Sequence, residues 1–149
     1  MVKLKIVTTI LVMLTLVSSL GATAQERTYI NPRTAAQADL PPFSGAVLTG
    51  NTLYLSGMLG LENGQVPADP SAEARNVLNA IKTTLEAANM TMDDLVYVQI
   101  FCSDVAHYDA FNVVYRSYFT QEFPARAFVG SGALLFNARF EIQAIAVKR

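Results

Sequence analysis

Between residues 74 and 85 the apolar side chains Ala74, Val77, Leu78, Ile81 and Leu85 recur every three or four positions, with Arg75, Asn79, Lys82 and Glu86 on the other side. A 3.6-residue period turns that spacing into a helix with one apolar stripe and one solvated face. Asp69 or Ser71 serves as its cap, because a side-chain oxygen there accepts from a free N–H of the first turn. Pro70 is tolerated where no donor is needed. Asn89 and the run Thr91-Met92-Asp93-Asp94 end the helix. Leu95 to Phe101 is rich in Val, Ile and aromatic residues and short enough for a strand. Asp104 then caps a second helix, in which Tyr108, Phe111, Tyr115, Tyr118 and Phe119 share a face that reads as core. Asn112 lies at the edge of that stripe. A buried amide must find partners, and the residues alone favour its tying down a loop over its contacting a ligand.

Elsewhere the pattern is that of strands. Ala46–Thr49 and Thr52–Ser56 flank Gly50-Asn51, a hairpin signal, and Ser56-Gly57 closes the second strand. Gly60 to Pro70 reads as a loop, and residues 25–40 as an irregular polar arm. The last stretch, FPARAFVGSGALLFNARFEIQAIAVKR, is two apolar, strand-like segments around Gly130-Ser131-Gly132. A hairpin is the simplest structure for it. A turn near Gly132–Leu134 sets Arg126 opposite Glu141 on one face, where a cross-strand ion pair contributes about 0.2–1 kcal/mol. The order strand, strand, helix, strand, helix, strand, strand predicts an α+β domain with both helices on one face of the sheet. Nothing in the chain covers the other face, which predicts a homo-oligomer.

The N-terminus changes what composition means. Lys3 and Lys5 precede an apolar run from Ile6 to Leu20, and Ala22-Thr23-Ala24 has the small-x-small pattern of a signal-peptidase site. Residues 1–24 are predicted to be a signal peptide, with export to the periplasm or beyond the cell. The alternative is a retained anchor, for which the run is short against the ~20 residues of a membrane span. No cysteine follows the leader to carry a lipid. The whole chain has a formal charge of −1, which becomes −3 once Lys3 and Lys5 are set aside. A mildly acidic chain without a basic run carries no electrostatic footprint for nucleic acid. Cys102, the one cysteine, excludes an intrachain disulfide and reads as a small buried hydrophobe. With one histidine and one cysteine the usual metal-ligand spacings are absent, so no metal is expected.

Ser56-Gly57, the helix AEARNVLNAIKTTLEAANMTMDDLV, Asn112 in FNVVYRSYF, FPAR at 123–126 and the ending FEIQAIAVKR together resemble the RidA/YjgF family in order and spacing. The likeness spans about residues 40–149, so that 41–149 form a RidA-like domain. It implies a chorismate-mutase-like α+β fold assembled as a homotrimer, with sites in clefts between subunits. It also implies hydrolysis of reactive 2-imino acids to 2-keto acids and ammonia, without cofactor or metal. By the resemblance Arg126 grips the substrate carboxylate, Glu141 orients or activates water, and Asn112, Ser56 and Gly57 line or support the pocket. A guanidinium suits the first task because its planar fork binds a carboxylate bidentately.

The chain departs from the family where Pro42-Phe43-Ser44-Gly45 replaces a tyrosine- and glutamine-bearing segment, and where Met58 replaces a glutamine. Ala127 and Phe128 stand in place of a serine and a frequent cysteine, and Gly132-Ala133-Leu134-Leu135-Phe136 in place of a loop with a Leu-Pro pair. These changes predict a tighter, more apolar pocket, lined by Phe43 and Phe128, with Phe128 large enough to block it. Three functions follow: an exported imine deaminase, a non-catalytic trimer binding a small carboxylate through Arg126, and the ribonuclease role of some family members. The acidic charge argues against the last.

Overall fold

The computed structural model describes residues 25–34, 36–37 and 39–149, and the predicted leader lies outside them. Six strands form one sheet: β1 (Arg27–Ile30), β2 (Ala46–Thr49), β3 (Thr52–Leu59), β4 (Leu95–Cys102), β5 (Ala125–Gly130) and β6 (Phe140–Val147). Their order across the sheet is β1-β2-β3-β6-β4-β5. Helices α1 (Pro70–Ala87) and α2 (Tyr108–Arg116) pack together on one face. This is the α+β architecture expected from the element order.

Local chemistry explains most of the elements. The Asp69 carboxylate accepts from the N–H groups of Ser71 and Ala72, with Pro70 opening α1. Val77, Leu78, Ile81 and Leu85 of α1 are almost wholly buried against the sheet. Gly50 adopts φ +58° in the β2–β3 turn, where an L side chain is strained. The Asp104 carboxylate caps a 3-10 turn, Val105–His107, that leads into α2. Phe111 at the centre of α2 is buried against Phe140 of β6, ring centroids 4.9 Å apart.

Three expectations are corrected. Part of the arm read as irregular is strand β1, because Arg27–Ile30 pair with Ala46–Thr49. Four residues gain a ladder from a partner that no local pattern announces. Next, β3 runs on to Leu59, with Ser56-Gly57 in a bulge between the pairs Leu55–Ala144 and Met58–Ile142. The largest difference is the C-terminal hairpin: β5 pairs in parallel with β4, and β6 pairs antiparallel with β4 on its other side. Nine residues, 131–139, cross over β4. That loop is long enough for a neighbouring or a skipped strand, and β4 buries more apolar surface in the middle than at an edge.

The face away from the helices carries Tyr54, Tyr97, Gln143 and Ile145 around a shallow hollow of about 280 Å³. Tyr54 there is 48% exposed.

Candidate active site

Side chains alternate between the two faces of a strand, and alternation places the two ionisable residues singled out above. On β6, Phe140, Ile142, Ala144 and Ala146 are buried beneath the helices, so Glu141 projects from the uncovered face. On β5, Phe128 packs against Phe111 of α2 at 5.6 Å, and Arg126, two residues earlier, takes that same helix-side face. The expected cross-strand pair is therefore absent. Arg126 stands beside Val98 and Glu141 beside Phe101, with β4 between their strands.

Arg126 is half-buried in a frame of aromatic rings. Its Nη1 donates to Asn112 Oδ1 at 2.7 Å, and its Nη2 approaches the Tyr108 hydroxyl at 3.5 Å. The guanidinium lies 4.8 Å from the Tyr115 ring centroid and 6.0 Å from that of Phe128. A cation over a ring face is attracted by the ring quadrupole, which partly offsets its lost hydration. Among the described residues no carboxylate lies within 4 Å of it. The Asn112 amide thus contacts the arginine and not a loop, correcting the expectation drawn from the residues alone.

A cavity of about 210 Å³ opens at this point, walled by Tyr108, Tyr115, Phe123 and Pro124 with Arg116 and Arg126 on its lining. Tyr115 is 3% exposed, and its hydroxyl has no hydrogen-bond partner among the described residues. Burial pushes that phenol up to about 12, with the Arg126 charge pulling the other way. Phe128 does not plug the cavity. Its ring turns toward Tyr108 and Phe111, 5.0 and 5.6 Å away, and packs, partly buried, against the core.

The other predicted residues gather on the β3–β6 side. A Cβ on Gly57 would overlap the Glu141 carboxylate, so the glycine leaves the space that the carboxylate fills. Ser56 Oγ donates to the Ser44 carbonyl at 2.6 Å, and Ser56 N to the Gly45 carbonyl at 3.0 Å. These bonds tie the loop bearing Phe43 to the bulge, while the Phe43 ring itself is 53% exposed. Phe43, Ser56, Gly57 and Glu141 thus form one group, and Asn112, Arg126 and Phe128 a second. One chain does not bring the two together.

Sequence reasoning passed over Glu73, which is fully buried. Its Oε1 accepts from the backbone N–H of Arg139 at 2.7 Å and of Phe140 at 3.2 Å, and its Oε2 from Arg139 Nη1 at 2.8 Å. The same guanidinium donates to the carbonyls of Pro67 and Ala68. The start of α1 is thereby bolted to the start of β6, one residue before Glu141. A signal for Tyr108 and Tyr115 did exist, since they lie four residues before and three after Asn112 on one helix face. Cys102 is wholly buried and donates to the Asp104 carbonyl, and burial raises its thiol, which fits an inert core residue.

Residues 34–148 match the family model described as Endoribonuclease L-PSP. The chain is 40% identical over 116 residues to a 2-iminobutanoate/2-iminopropanoate deaminase of Capra hircus, covering 76% of this chain and 85% of that protein. The YjgF gene product of E. coli has a similar crystal structure, with TM-score 0.69 and 35% identity, over 72% of this chain and 89% of that one. E. coli TdcF, solved with bound serine, is similar at TM-score 0.71 and 28% identity, over 74% and 91% of the two chains. The chain belongs to the Endoribonuclease L-PSP family, the RidA/YjgF family that its motifs resemble.

Proposed function

We propose that this protein hydrolyses 2-imino acids to 2-keto acids and ammonia. The observation that carries the reading is Arg126, a half-buried guanidinium with no carboxylate partner among the described residues, held by a hydrogen bond to Asn112. Such a group is ready for a carboxylate from outside the chain. The likeness to the Capra hircus 2-iminobutanoate/2-iminopropanoate deaminase supports an imine as the rest of that ligand.

In this reading Arg126 binds the carboxylate of R–C(=NH)–COO⁻ and fixes the imine carbon. Water adds to that carbon while a carboxylate takes one of its protons. That proton passes to nitrogen, giving a carbinolamine; the hydroxyl proton then moves to nitrogen as well, the C–N bond breaks, and ammonia leaves as C=O forms. Nothing is oxidised or reduced, so the balance requires no cofactor. Glu141 is the carboxylate assigned to the water, and acid–base help of this kind contributes about 10²–10⁴-fold. Within one chain it projects from the other sheet face. The reading therefore includes a homotrimer in which Arg126 faces Glu141 of the partner subunit, which also gives the uncovered face with Tyr54 and Ile145 a partner. Export through cleavage after residue 24 belongs to the same reading, and N-terminal sequencing of the protein recovered from cells tests it.

The apolar Phe43, Met58 and Phe128 favour a second reading, a trimer that binds a small carboxylate without turnover. One experiment separates the two. 2-Iminopropanoate is generated in situ by an amino-acid oxidase, and keto-acid release is followed with wild type, Arg126→Ala and Glu141→Gln. Acceleration over the spontaneous rate, lost in both variants, is the expected result. Folded, oligomeric protein that binds pyruvate through Arg126 and never accelerates release overturns the deaminase reading in favour of the binding one.

A further inference from the structure

We propose that Arg116 and Arg126 form a two-cation recognition site that selects ligands with a second carboxylate, so that the preferred substrates are imino acids derived from acidic amino acids. The imine part of this inference rests on the function proposed above; the dicarboxylate part stands on the cavity alone.

Arg116 ends α2, where a cation faces the partial negative charge of the helix terminus, and that is an ordinary reason for an arginine to be there. Its position says more. The guanidinium lies 5.9 Å from the Phe123 ring centroid, on the lining of the cavity that Arg126 also lines. Phe123 and Tyr115 stack, centroids 6.2 Å apart and planes 22° apart, and Arg126 lies over Tyr115. Two adjacent rings thus each carry one guanidinium at the same cavity. No acidic residue is among its lining side chains, and among the described residues neither arginine has an ion-pair partner. Two like charges without an acid between them repel each other unless anions join them.

The buried, unpartnered Tyr115 hydroxyl is a second and independent sign of a ligand. A buried polar group without a partner costs free energy in the empty protein, and a ligand oxygen removes that cost. Size agrees as well. The cavity of about 210 Å³ exceeds the ~150 Å³ that receives a benzene molecule, so a five-carbon diacid fits where a three-carbon acid leaves space. In this arrangement Asn112 holds Arg126 for the carboxylate next to the imine. Arg116, exposed on the cavity lining, takes the carboxylate at the far end of the side chain.

The test uses stable keto acids, so that it does not depend on turnover. Calorimetry measures pyruvate and 2-oxoglutarate binding to the whole protein, wild type and Arg116→Gln. The expected result is tighter binding of 2-oxoglutarate, with that preference falling about tenfold in Arg116→Gln. A role confined to the helix end predicts a lower melting temperature and an unchanged ratio. Equal affinities in the wild type, a preference that survives Arg116→Gln, or no binding of either acid overturns the proposal. A preference for the diacid with no imine hydrolysis overturns the deaminase reading and leaves this one standing. Turnover of 2-iminopropanoate with no diacid preference does the reverse.

Discussion

Two Glu/Arg couples, Glu73 with Arg139 and Glu141 with Arg126, are built in opposite ways. Glu73 and Arg139 close on each other: a wholly buried carboxylate receives three N–H bonds, and the same guanidinium also donates to two carbonyls. Glu141 and Arg126 stay apart on opposite faces of the sheet, without an ion-pair partner among the described residues. A closed pair has each charge committed to the other and holds elements together. An open pair keeps its charges for a ligand. The closed couple also serves the open one, since it pins Arg139 and Phe140, the residues that aim Glu141. Gly60 belongs to the same joint, because a Cβ there would overlap the Glu73 carbonyl.

The sharpest way to break the comparison is the same substitution on both sides. Arg139→Met leaves Glu73 buried beside an apolar chain and is expected to lower unfolding free energy by about 3–5 kcal/mol. Arg126→Met leaves no buried acid behind, keeps packing with the rings, and should shift denaturant midpoints little while abolishing keto-acid binding. Equal losses of stability would show that both arginines are structural. A smaller effect is expected from Gly57→Ala, whose methyl displaces the Glu141 carboxylate and leaves the rest of the sheet in place. Misplacement on the scale of 1 Å costs about 10²-fold in rate, so kcat should fall by about that much at an almost unchanged melting temperature.

The least effect is expected at Tyr115. Burial raises its folded-state pKa from the ordinary 10.0 to about 12, against the pull of the Arg126 charge, so the folded protein holds the phenolic proton more tightly than the unfolded chain. The stability that this contributes is fully present below pH 10 and is lost as pH rises toward about 12. Tyr115→Phe should flatten that alkaline slope in denaturation curves and change stability near pH 7 by less than about 1 kcal/mol.

The elements that depend on local chemistry were legible in the residues. Asp69 with Pro70, the stripe from Ala74 to Leu85 and the Gly50-Asn51 turn each act over a few positions, and the structure places the corresponding helix and hairpin where those signals put them. The motif residues Arg126, Asn112, Gly57 and Glu141 were also visible as residues. Their mutual placement was not. An alternating segment such as FEIQAIAV specifies a strand with two different faces, but it does not name its neighbours in the sheet. β4, thirty residues upstream of the presumed hairpin, took the place between its arms.

Sequence by itself therefore determined the α+β class, the element order from β2 onward and the chemical types available to a site, because propensity, capping and periodicity are short-range. Tertiary structure alone decided that Glu73 is buried, since in sequence it is one more acid in a first helical turn and its partner lies 66 positions away. It decided that β6 sits between β3 and β4, and hence that Arg126 and Glu141 look away from each other. It also set Arg116 at the cavity of Arg126 through Phe123 and Tyr115. Strand order and cavities are settled by which long-range packing buries the most apolar surface, and no local pattern carries that information.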